Sequence, residues 1–480
     1  MPAGLQSRFN ILETSPLTSM PPMDQAGETP EQWKASRFNV HATGEDGSLI
    51  LWNTLTGAIS VFPPSKVRLI KKALRGVVEA KRKGTIRYLA DKGFLVRASA
   101  NEYRQFQVRF GSEHFTNKAL EFILLPSEDC NFRCEYCYED FRRGTMREEV
   151  RAGIKRLTED RAPYLDRLSV SWFGGEPLYG WEAIEELAPF FSDVVKRNGL
   201  SYRGYMTTNG YLLTPEISRK LLGWGVTGYQ ITVDGVAEDH DRSRPGRDGS
   251  PTFQQIYNNL KAMRSWDGSF DVAIRINIGP RNSSRIPKLL DMLAADFGGD
   301  PRYRISYQLI SKWGGDNDDH FSVCGKTEGQ EILRSLMAAA KERELILPQV
   351  RSVNHFGSSV CYAARPYNFL IGADGQVMKC TVLLDKDVRN VVGRITPEGE
   401  LILDDDRMAL WTEPVFERDQ QCQKCVFLPN CSGSYCPLPR IETGERKCLP
   451  ARSDARGTLR AIEEESRETI RSVNVNSGRA

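Results

Sequence analysis

Residues 119–139, with the sequence ALEFILLPSEDCNFRCEYCYE, join a short apolar run to three closely spaced cysteines. The apolar run has the length and composition of a buried β-strand. Cys130, Cys134 and Cys137 follow it at C-x3-C-x2-C spacing. A cluster this tight, in a chain whose first residues lack the pattern of a secretory signal, favours metal binding or redox chemistry over disulfide bonds.

The alternation of strands and helices that starts here predicts the fold. From residue 119 to about 345, six apolar strand-like runs each precede an amphipathic, helix-like segment. Short strands alternating with helices indicate a parallel sheet with right-handed crossovers. We therefore predict an α/β fold whose central part, residues 116–345, is a partial (β/α)6 TIM barrel. In such barrels the functional residues lie in the loops that follow the strands.

Composition and charge narrow the classes of function. The chain has 480 residues, of which 40% are hydrophobic and 26% charged, as in ordinary globular proteins. No run of 18 apolar residues occurs, so we expect no membrane partner. A net charge of +3 says little about partners. Because no basic motif interleaved with aromatic residues is present, we expect no nucleic acid. We expect a cytoplasmic protein.

Four further segments flank the predicted barrel. Residues 1–38 are polar and proline-rich and are predicted to be a flexible N-terminal segment. Residues 39–115 contain the pattern of a hairpin, two helices and a strand, which predicts a small winged-helix-like module. Residues 346–455 combine short strands, frequent turns and most of the remaining cysteines, which predicts a cysteine-rich domain. Residues 456–480 are predicted to be a C-terminal helix and tail.

The three thiols of the cysteine run favour an iron–sulfur cluster. A tetrahedral zinc site needs a fourth Cys or His from nearby, and the nearest histidine, His114, precedes the strand. A [4Fe–4S] cluster held by three thiolates keeps one iron open for a small chelating molecule. A zinc site or inert buried thiols are the alternative.

Residues after the other predicted strands strengthen this interpretation. The cysteine run, with Tyr136 before its third cysteine, resembles the signature of the radical S-adenosylmethionine (SAM) enzymes. Later strand ends carry further matches, which the resemblance implies are SAM contacts. They are Gly174, Gly175 and Glu176 for the amino group, Thr207, Thr208, Asn209 and Asp234 for the ribose, Tyr136 for the adenine and Arg275 for the carboxylate. Taken singly, the later matches are also typical of turns and strand-end caps.

The resemblance implies a radical mechanism. SAM chelates the open iron, one electron from the cluster cleaves a sulfur–carbon bond, and the 5′-deoxyadenosyl radical takes a hydrogen atom from the substrate. The cofactor does this chemistry, while the protein positions the parts and excludes water. An electron donor such as flavodoxin or ferredoxin is then needed, and no residue of the chain is assigned a catalytic role.

The later cysteines resemble the SPASM extension of radical SAM maturases, which binds two auxiliary [4Fe–4S] clusters. The complete set of cofactors would be SAM and three [4Fe–4S] clusters. The resemblance assigns Cys361, Cys380 and Cys436 to the first auxiliary cluster, completed by Cys324 or left with an open iron, and Cys422, Cys425, Cys431 and Cys448 to the second. Cys436 follows four residues where the family has three, and zinc ribbons are the alternative.

SPASM proteins mostly modify peptides or proteins, so the resemblance implies a peptide substrate. Sulfatase maturases carry an Asp directly after the cysteine that corresponds to Cys380. This chain has Thr381, which cannot be a carboxylate base, and Asp385 is off that position. We therefore favour a maturase of a ribosomally synthesised precursor peptide that forms a crosslink. A formylglycine-generating sulfatase maturase and a non-catalytic zinc-binding protein are the alternatives.

The predicted module of residues 39–115 resembles a leader-peptide recognition module in the order of its elements. A strand edge beside a basic helix could accept a leader peptide as an added strand. The basic residues would attract an acidic leader, although charge on a helix is often only a solvated face. These residues are Lys66, Arg68, Lys71, Lys72, Arg75, Lys81, Arg82 and Lys83.

Overall fold

The computed structural model describes residues 31–79, 84–348 and 355–464. Residues 1–30 of the predicted flexible segment, residues 465–480 of the predicted tail, and Lys81, Arg82 and Lys83 lie outside these ranges. Within them, no helix is both long and apolar enough to cross a membrane.

The N-terminal region consists of two small antiparallel sheets and three helices. Its elements are Gln32–Ala35 (β1), Asn39–Thr43 (β2), Leu49–Asn53 (β3), Ile59–Phe62 (β4), Pro64–Ala73 (α1), Val78–Glu79 (β5), Thr85–Asp91 (α2), Leu95–Arg97 (β6) and Glu102–His114 (α3). One sheet has the order β2-β3-β4 and contains the predicted hairpin, and the other has the order β5-β1-β6. The likeness to a winged helix stays a prediction.

Strand β1 corrects the predicted N-terminal boundary at residue 38. It pairs with both β5 and β6, so residues 32–35 are part of the fold. Ser36 and Phe38 are buried, and the Ser36 hydroxyl donates a hydrogen bond to the Glu102 carboxylate. This strand, Gln-Trp-Lys-Ala, has two polar residues of four, and its Trp33 packs against the apolar cluster of the N-terminal region.

The central region contains the six predicted parallel strands. Its elements are Ala119–Ser127 (β7), Glu148–Arg161 (α4), Arg167–Gly174 (β8), Trp181–Asn198 (α5), Ser201–Thr208 (β9), Pro215–Gly223 (α6), Val226–Thr232 (β10), Ala237–Ser243 (α7), Phe253–Arg264 (α8), Asp271–Ile278 (β11), Ile286–Phe297 (α9), Tyr303–Leu309 (β12) and Lys326–Glu342 (α10). Each strand pairs in parallel with the next one in the chain, as the alternation predicts.

The C-terminal region extends the same sheet. Its elements are Asn368–Ile371 (β13), Gln376–Met378 (β14), Val391–Ile395 (β15), Leu401–Leu403 (β16), Asp405–Thr412 (α11), Gln420–Gln423 (α12), Leu428–Cys431 (α13) and Leu438–Thr443 (α14), and residues 455–464 are also helical. Strand β13 lies parallel to β7, and the next three strands continue antiparallel. The result is one ten-stranded sheet in the order β12-β11-β10-β9-β8-β7-β13-β14-β15-β16.

The two faces of the parallel strands differ in character. On β8, Leu168, Val170 and Trp172 are fully buried, and Trp172 packs against Phe191 of helix α5. The residues between them, such as Ser169 and Ser171, are only half-buried. Because strand side chains alternate between faces, the helices cover one face, and the other face is polar and partly open.

The N-terminal region packs directly against the cysteine-rich region. The rings of Trp52 and Phe427 lie 5.5 Å apart, and those of Phe106 and Phe416 lie 5.0 Å apart. The Thr54 hydroxyl donates a hydrogen bond to the Val426 carbonyl oxygen. The N-terminal region therefore forms one wall of the segment that carries the last cysteines.

Candidate functional site

The three cysteines of the run lie together in the loop after β7. Burial raises the pKa of the Cys130 thiol, and the neighbouring charges of Glu176, Cys134 and Cys137 raise it further. Burial and Cys134 together raise the pKa of Cys137 to about 12. Thiols that are held protonated in this way lose their protons when they bind metal, so binding would release protons.

The Gly174-Gly175 pair lets the end of β8 approach the cysteine loop. Gly174 has a φ of +117°, and a Cβ atom there would lie 2.2 Å from the Ser127 carbonyl oxygen. A Cβ atom on Gly175 would lie 2.7 Å from the carbonyl oxygen of Asp129. The two glycines are therefore required by packing as well as by any ligand contact, because only residues without a side chain fit against this loop.

The Glu176 carboxylate connects the ends of three strands. It is fully buried and accepts hydrogen bonds from the Leu178 amide at 3.0 Å, the Thr208 hydroxyl at 2.7 Å and the Asn209 amide at 2.7 Å. Burial raises its pKa, and these hydrogen bonds oppose the rise. The Asn209 side chain in turn donates to Asn131 Oδ1 at 2.7 Å, inside the cysteine loop.

A second polar cluster surrounds the Tyr136 hydroxyl. This hydroxyl donates to Asp234 Oδ2 and accepts from Arg244 Nη1 at 2.8 Å and from Asn277 Nδ2 at 2.9 Å. Asp234 also accepts the Asn277 amide at 2.8 Å. Arg275 Nε donates to Asn277 Oδ1 at 2.8 Å, so Asn277 links Arg275 to the Tyr136 hydroxyl. The cluster places Tyr136, Asp234 and Arg275, all predicted site residues, beside one another.

Arg244 and Asn277 are site residues that the sequence did not reveal. Arg244 stacks above the Phe132 ring at 5.8 Å, and its charge lowers the pKa of Cys134, opposing the effect of burial. Its Nε atom is buried and has no hydrogen-bond acceptor among the described residues. From sequence alone, a charged residue in a loop is expected to be solvent-exposed. Only the tertiary structure shows that Arg244 is buried beside the thiols.

These features occur within a recognisable domain. Residues 124–293, which include the cysteine run, the glycine pair, Glu176, Asp234 and Arg244, match the Radical SAM superfamily. The chain contains a radical SAM domain.

Two curated relatives cover much of this domain. The AdoMet-dependent heme synthase of Methanosarcina barkeri is 30% identical over 235 residues, which are 47% of this chain and 60% of the relative. The radical SAM cyclopropyl synthase TigE of Paramaledivibacter caminithermalis is 25% identical over 194 residues, which are 36% of this chain and 40% of the relative. The chain thus spans less than two thirds of the length of these relatives.

A solved structure extends the likeness beyond the radical SAM domain. Native anSMEcpe with bound AdoMet and the Cp18Cys peptide superposes with a TM-score of 0.53 at 16% identity, and covers 75% of this chain and 100% of its own. At this level of identity the likeness shows a shared fold and nothing about the substrate.

Seven of the eight remaining cysteines form two groups in the C-terminal region. In the first C-terminal cysteine group, burial raises the pKa of the Cys361 and Cys380 thiols, and the charge of Cys436 raises both further. The Cys361 amide donates a hydrogen bond to the Ser434 carbonyl oxygen at 2.9 Å. In the second group, burial raises the pKa of the Cys431 thiol, and so do the charges of the other three members. All four residues line one small cavity: Cys422, Cys425, Cys431 and Cys448. These are the two sets that the sequence predicts.

Cys324 stands apart from both groups. It precedes helix α10, and the pKa of its thiol is raised by burial and by Glu328 rather than by another cysteine. The assignment of Cys324 as a fourth ligand stays a prediction, and the geometry gives it no support.

The cysteines of the run offer donors of the type that iron–sulfur clusters need. Among the residues that the structure describes, no three His, Cys, Asp or Glu side chains converge enough to hold one metal ion. Zinc bound by thiolates would bring their sulfur atoms to about 3.8 Å from one another, given Zn–S bonds of about 2.3 Å. Thiolates on different irons of a cluster lie further apart. The thiols of the run fit such a cluster by their chemistry, and the buried Arg244 Nε atom has no acceptor among the described residues.

Two polar pairs occupy the region around Cys380. The Tyr362 hydroxyl lies 2.7 Å from the Thr381 hydroxyl and accepts the Thr381 amide at 3.0 Å. Asp385 forms an ion pair with Arg143, which also contacts Glu128 at 2.9 Å. Thr381 has no carboxylate, and the carboxylate of Asp385 is paired with Arg143.

Proposed function

We propose that this protein is a radical SAM maturase that modifies a ribosomally synthesised precursor peptide, in the first instance by forming a crosslink. The observation that carries the proposal is the grouping of its cysteines. Three thiols lie at the carboxyl end of the first barrel strand, and seven more form two groups in the loops and short helices of the C-terminal region, whose strands continue the same sheet. A protein with a single radical SAM cluster would need only the first three.

The radical SAM domain would hold its cofactors with residues that the structure brings to one edge of the sheet. Cys130, Cys134 and Cys137 would bind a [4Fe–4S] cluster through three of its irons. When bound, this cluster and SAM supply the radical chemistry that removes hydrogen from the substrate. Glu176 orients the Thr208–Asn209 turn, and its buried negative charge favours an ammonium group nearby. Tyr136 and Asp234 fix the opposite side of the site.

The open face of the sheet is suited to a peptide. Its side chains alternate with the buried ones and are polar and half-buried: Ser169, Ser171, Tyr205, Thr207, Gln230, Ser306 and Gln308. Hydroxyl and amide groups of this kind hydrogen-bond to a peptide backbone without demanding one sequence. The fold that this chain shares with anSMEcpe accommodates a peptide in that protein, which is consistent with a peptide on this face.

The N-terminal region would bind the leader of the precursor. Strand β4 is an edge of its sheet, and helix α1 follows it directly. The described basic residues of this stretch, Lys66, Arg68, Lys71, Lys72 and Arg75, are all exposed. Leu69 and Val77 are 48% and 58% exposed beside them. An acidic, partly apolar leader would pair with the strand edge and the basic helix together.

Formylglycine formation is less well supported than crosslinking. The position after Cys380 carries Thr381, whose hydroxyl is engaged with Tyr362. Asp385 is neutralised by Arg143. A base that must take a proton from Ser or Cys at this position has no carboxylate available.

The two C-terminal cysteine groups would hold auxiliary [4Fe–4S] clusters. Electrons would come from a partner such as flavodoxin or ferredoxin. Arg452 Nη1 donates to Cys448 Sγ at 2.8 Å, and this cation would stabilise the thiolate form that binds iron.

Anaerobic purification tests the cofactor assignment. Three clusters predict about twelve irons per chain with matching acid-labile sulfide. Replacing Cys130, Cys134 and Cys137 with alanine should remove about four irons and abolish SAM cleavage to 5′-deoxyadenosine. Cys324→Ala, a cysteine outside the run, should leave SAM cleavage intact, and its iron content tests whether this residue is a ligand of the first auxiliary cluster. A colourless zinc protein, or SAM cleavage by the triple variant, would contradict the proposal.

Co-expression with short peptides encoded beside the gene tests the reaction. Mass spectrometry should show the loss of two hydrogen atoms from the peptide if a crosslink forms. An unchanged mass with altered stereochemistry would indicate epimerisation, and a formylglycine mass shift would replace our proposal with the sulfatase-maturase alternative. Deleting the acidic part of the leader should abolish modification without affecting uncoupled SAM cleavage.

A further inference from the structure

A cavity of about 340 Å³ lies at the end of the sheet opposite the cysteine run. It is bounded by helix α3, by the first residues of β7, β8 and β9, and by residues 355–367. Strand β7 runs six residues from Glu121 in this cavity to Ser127 next to the cysteine loop, a distance of about 20 Å. A ligand here would therefore not touch the radical SAM site.

Three arginines line this cavity. Arg365 Nη1 lies 3.2 Å and Arg167 Nη2 lies 3.6 Å from Glu121 Oε1, so these two share one carboxylate. Arg203, directly beside Ser169 on the neighbouring strand, has no hydrogen bond or ion pair with an acidic group in the part of the chain that the structure describes. With Glu121, and with Glu113, which pairs with Arg109, two carboxylates line the cavity against three arginines, so a small excess of positive charge remains.

The histidines of the cavity do not neutralise this excess. Burial, with Arg365 and Arg203 after it, lowers the pKa of His355, so both arginines lie close to this ring. Burial lowers the pKa of His114 to about 4, with Arg365 adding to the effect. Both rings are therefore neutral at physiological pH, and an anion is the complement that the cavity lacks.

A buried hydroxyl without a partner also belongs to the wall of the cavity. Ser432 is 1% exposed, lines the cavity, and its Oγ atom has no hydrogen-bond partner among the described residues. Buried polar groups are nearly always paired, so an unpaired one points to a ligand that supplies the partner. Phe110, Phe356 and Tyr367 add aromatic walls, which suit a flat organic body.

We propose that this cavity binds a small organic oxyanion, a carboxylate or phosphate attached to a planar group, through Arg203 and Ser432. Guanidinium groups recognise both kinds of oxyanion by paired hydrogen bonds. The site does not depend on the proposed peptide-maturase function. Val360 and Arg365 flank Cys361, and Ser432 follows Cys431, so the ligand would contact the segments that carry both C-terminal cysteine groups.

Calorimetric titration of the anaerobically reconstituted, full-length protein tests this site. Phenyl phosphate and benzoate are the two probes, in buffer of constant ionic strength, and they distinguish a phosphate site from a carboxylate site. At least one should bind saturably with a Kd at or below about 1 mM.

The variants locate the binding. Arg203→Gln should weaken the better probe by about tenfold or more, because it removes a charge-assisted contact. Ser432→Ala should weaken it several-fold and guards against a folding defect in the first variant. Arg334→Gln, an exposed arginine on helix α10, is the matched control and should bind as the parent does. Absence of saturable binding by both probes, or unchanged binding by Arg203→Gln, would overturn the proposal.

Discussion

Replacing Arg244 with methionine should destabilise the radical SAM domain, because it removes the cation that faces a buried carboxylate. Arg244 is 7% exposed and Asp234 is 1% exposed, and Arg244 Nη1 lies 3.9 Å from Asp234 Oδ2. Methionine fills a similar volume, so the change removes charge and hydrogen bonds rather than packing. Asp234 would keep its bonds from Tyr136 and the Asn277 amide but lose its counter-ion.

The magnitude follows from the burial of both groups. Removing one partner of a buried ion pair costs about 3–5 kcal/mol. For a domain of this size, that corresponds to a fall in Tm of about 6–20 °C. Adding Asp234→Asn should restore about half of the loss, because the double variant no longer buries an unpaired charge.

Thermal unfolding followed by circular dichroism under anaerobic conditions measures these differences. Arg247→Met is the control, because Arg247 is also an arginine of this loop and pairs with Asp129, but its side chain is 57% exposed. It should cost at most about 1 kcal/mol. The reasoning is refuted if Arg244→Met melts with the control, or if the double variant is no more stable than the single one.

Three further perturbations test other parts of the fold. Gly174→Ala should cost about 3 kcal/mol or more, because its Cβ would lie 2.2 Å from the Ser127 oxygen; Gly199→Ala, with φ +64° and open space, should cost only about 1 kcal/mol, and equal losses in denaturant melts would contradict this. Burial lowers the pKa of His114 from 6.5 to about 4, so the unfolded chain binds a proton at this residue more readily than the folded one. The free energy of unfolding should therefore be unaffected above pH 6.5 and should fall by up to about 3 kcal/mol as the pH is lowered towards 4. His114→Gln should flatten the stability curve across this interval, and an unchanged slope would show that other groups control it. Cys431→Ala should lower iron content by about four atoms and leave SAM cleavage detectable, and full iron retention would remove Cys431 from the ligands.

The strand order of the radical SAM domain was predictable because each strand buries one face under its own helix. Apolar runs such as residues 119–125 are short-range signals, and so are the cysteine spacing and the glycine pair. The pairing of β13 with β7 was not predictable, since the two strands are separated by some two hundred residues and neither carries a pairing signal. Helix α3 was also missed, because its charged and aromatic residues follow no clean amphipathic period.

The site was predictable in its residue types but not in its contacts. The resemblance assigned Glu176 to an ammonium group, which stays a prediction, and the structure adds that its carboxylate accepts three hydrogen bonds within the protein. The contact of Arg275 with a carboxylate also stays a prediction, and the structure adds Arg244 as an arginine buried beside the thiols. Burial of a charge depends on which loops meet, and this information is absent from any short stretch of sequence.

The continuity of the ten-stranded sheet limits how this protein can be dissected. Strand β7 is bordered on one side by β8 and on the other by β13. A fragment cut after residue 345 would leave β7 with a bare edge of unsatisfied amide and carbonyl groups next to an apolar surface. Such an edge recruits strands from other molecules, so the fragment should precipitate. The fragment would be insoluble because β7 has lost its partner β13, and not because of any defect in the cysteine site. The redox chemistry therefore has to be studied on the full-length chain.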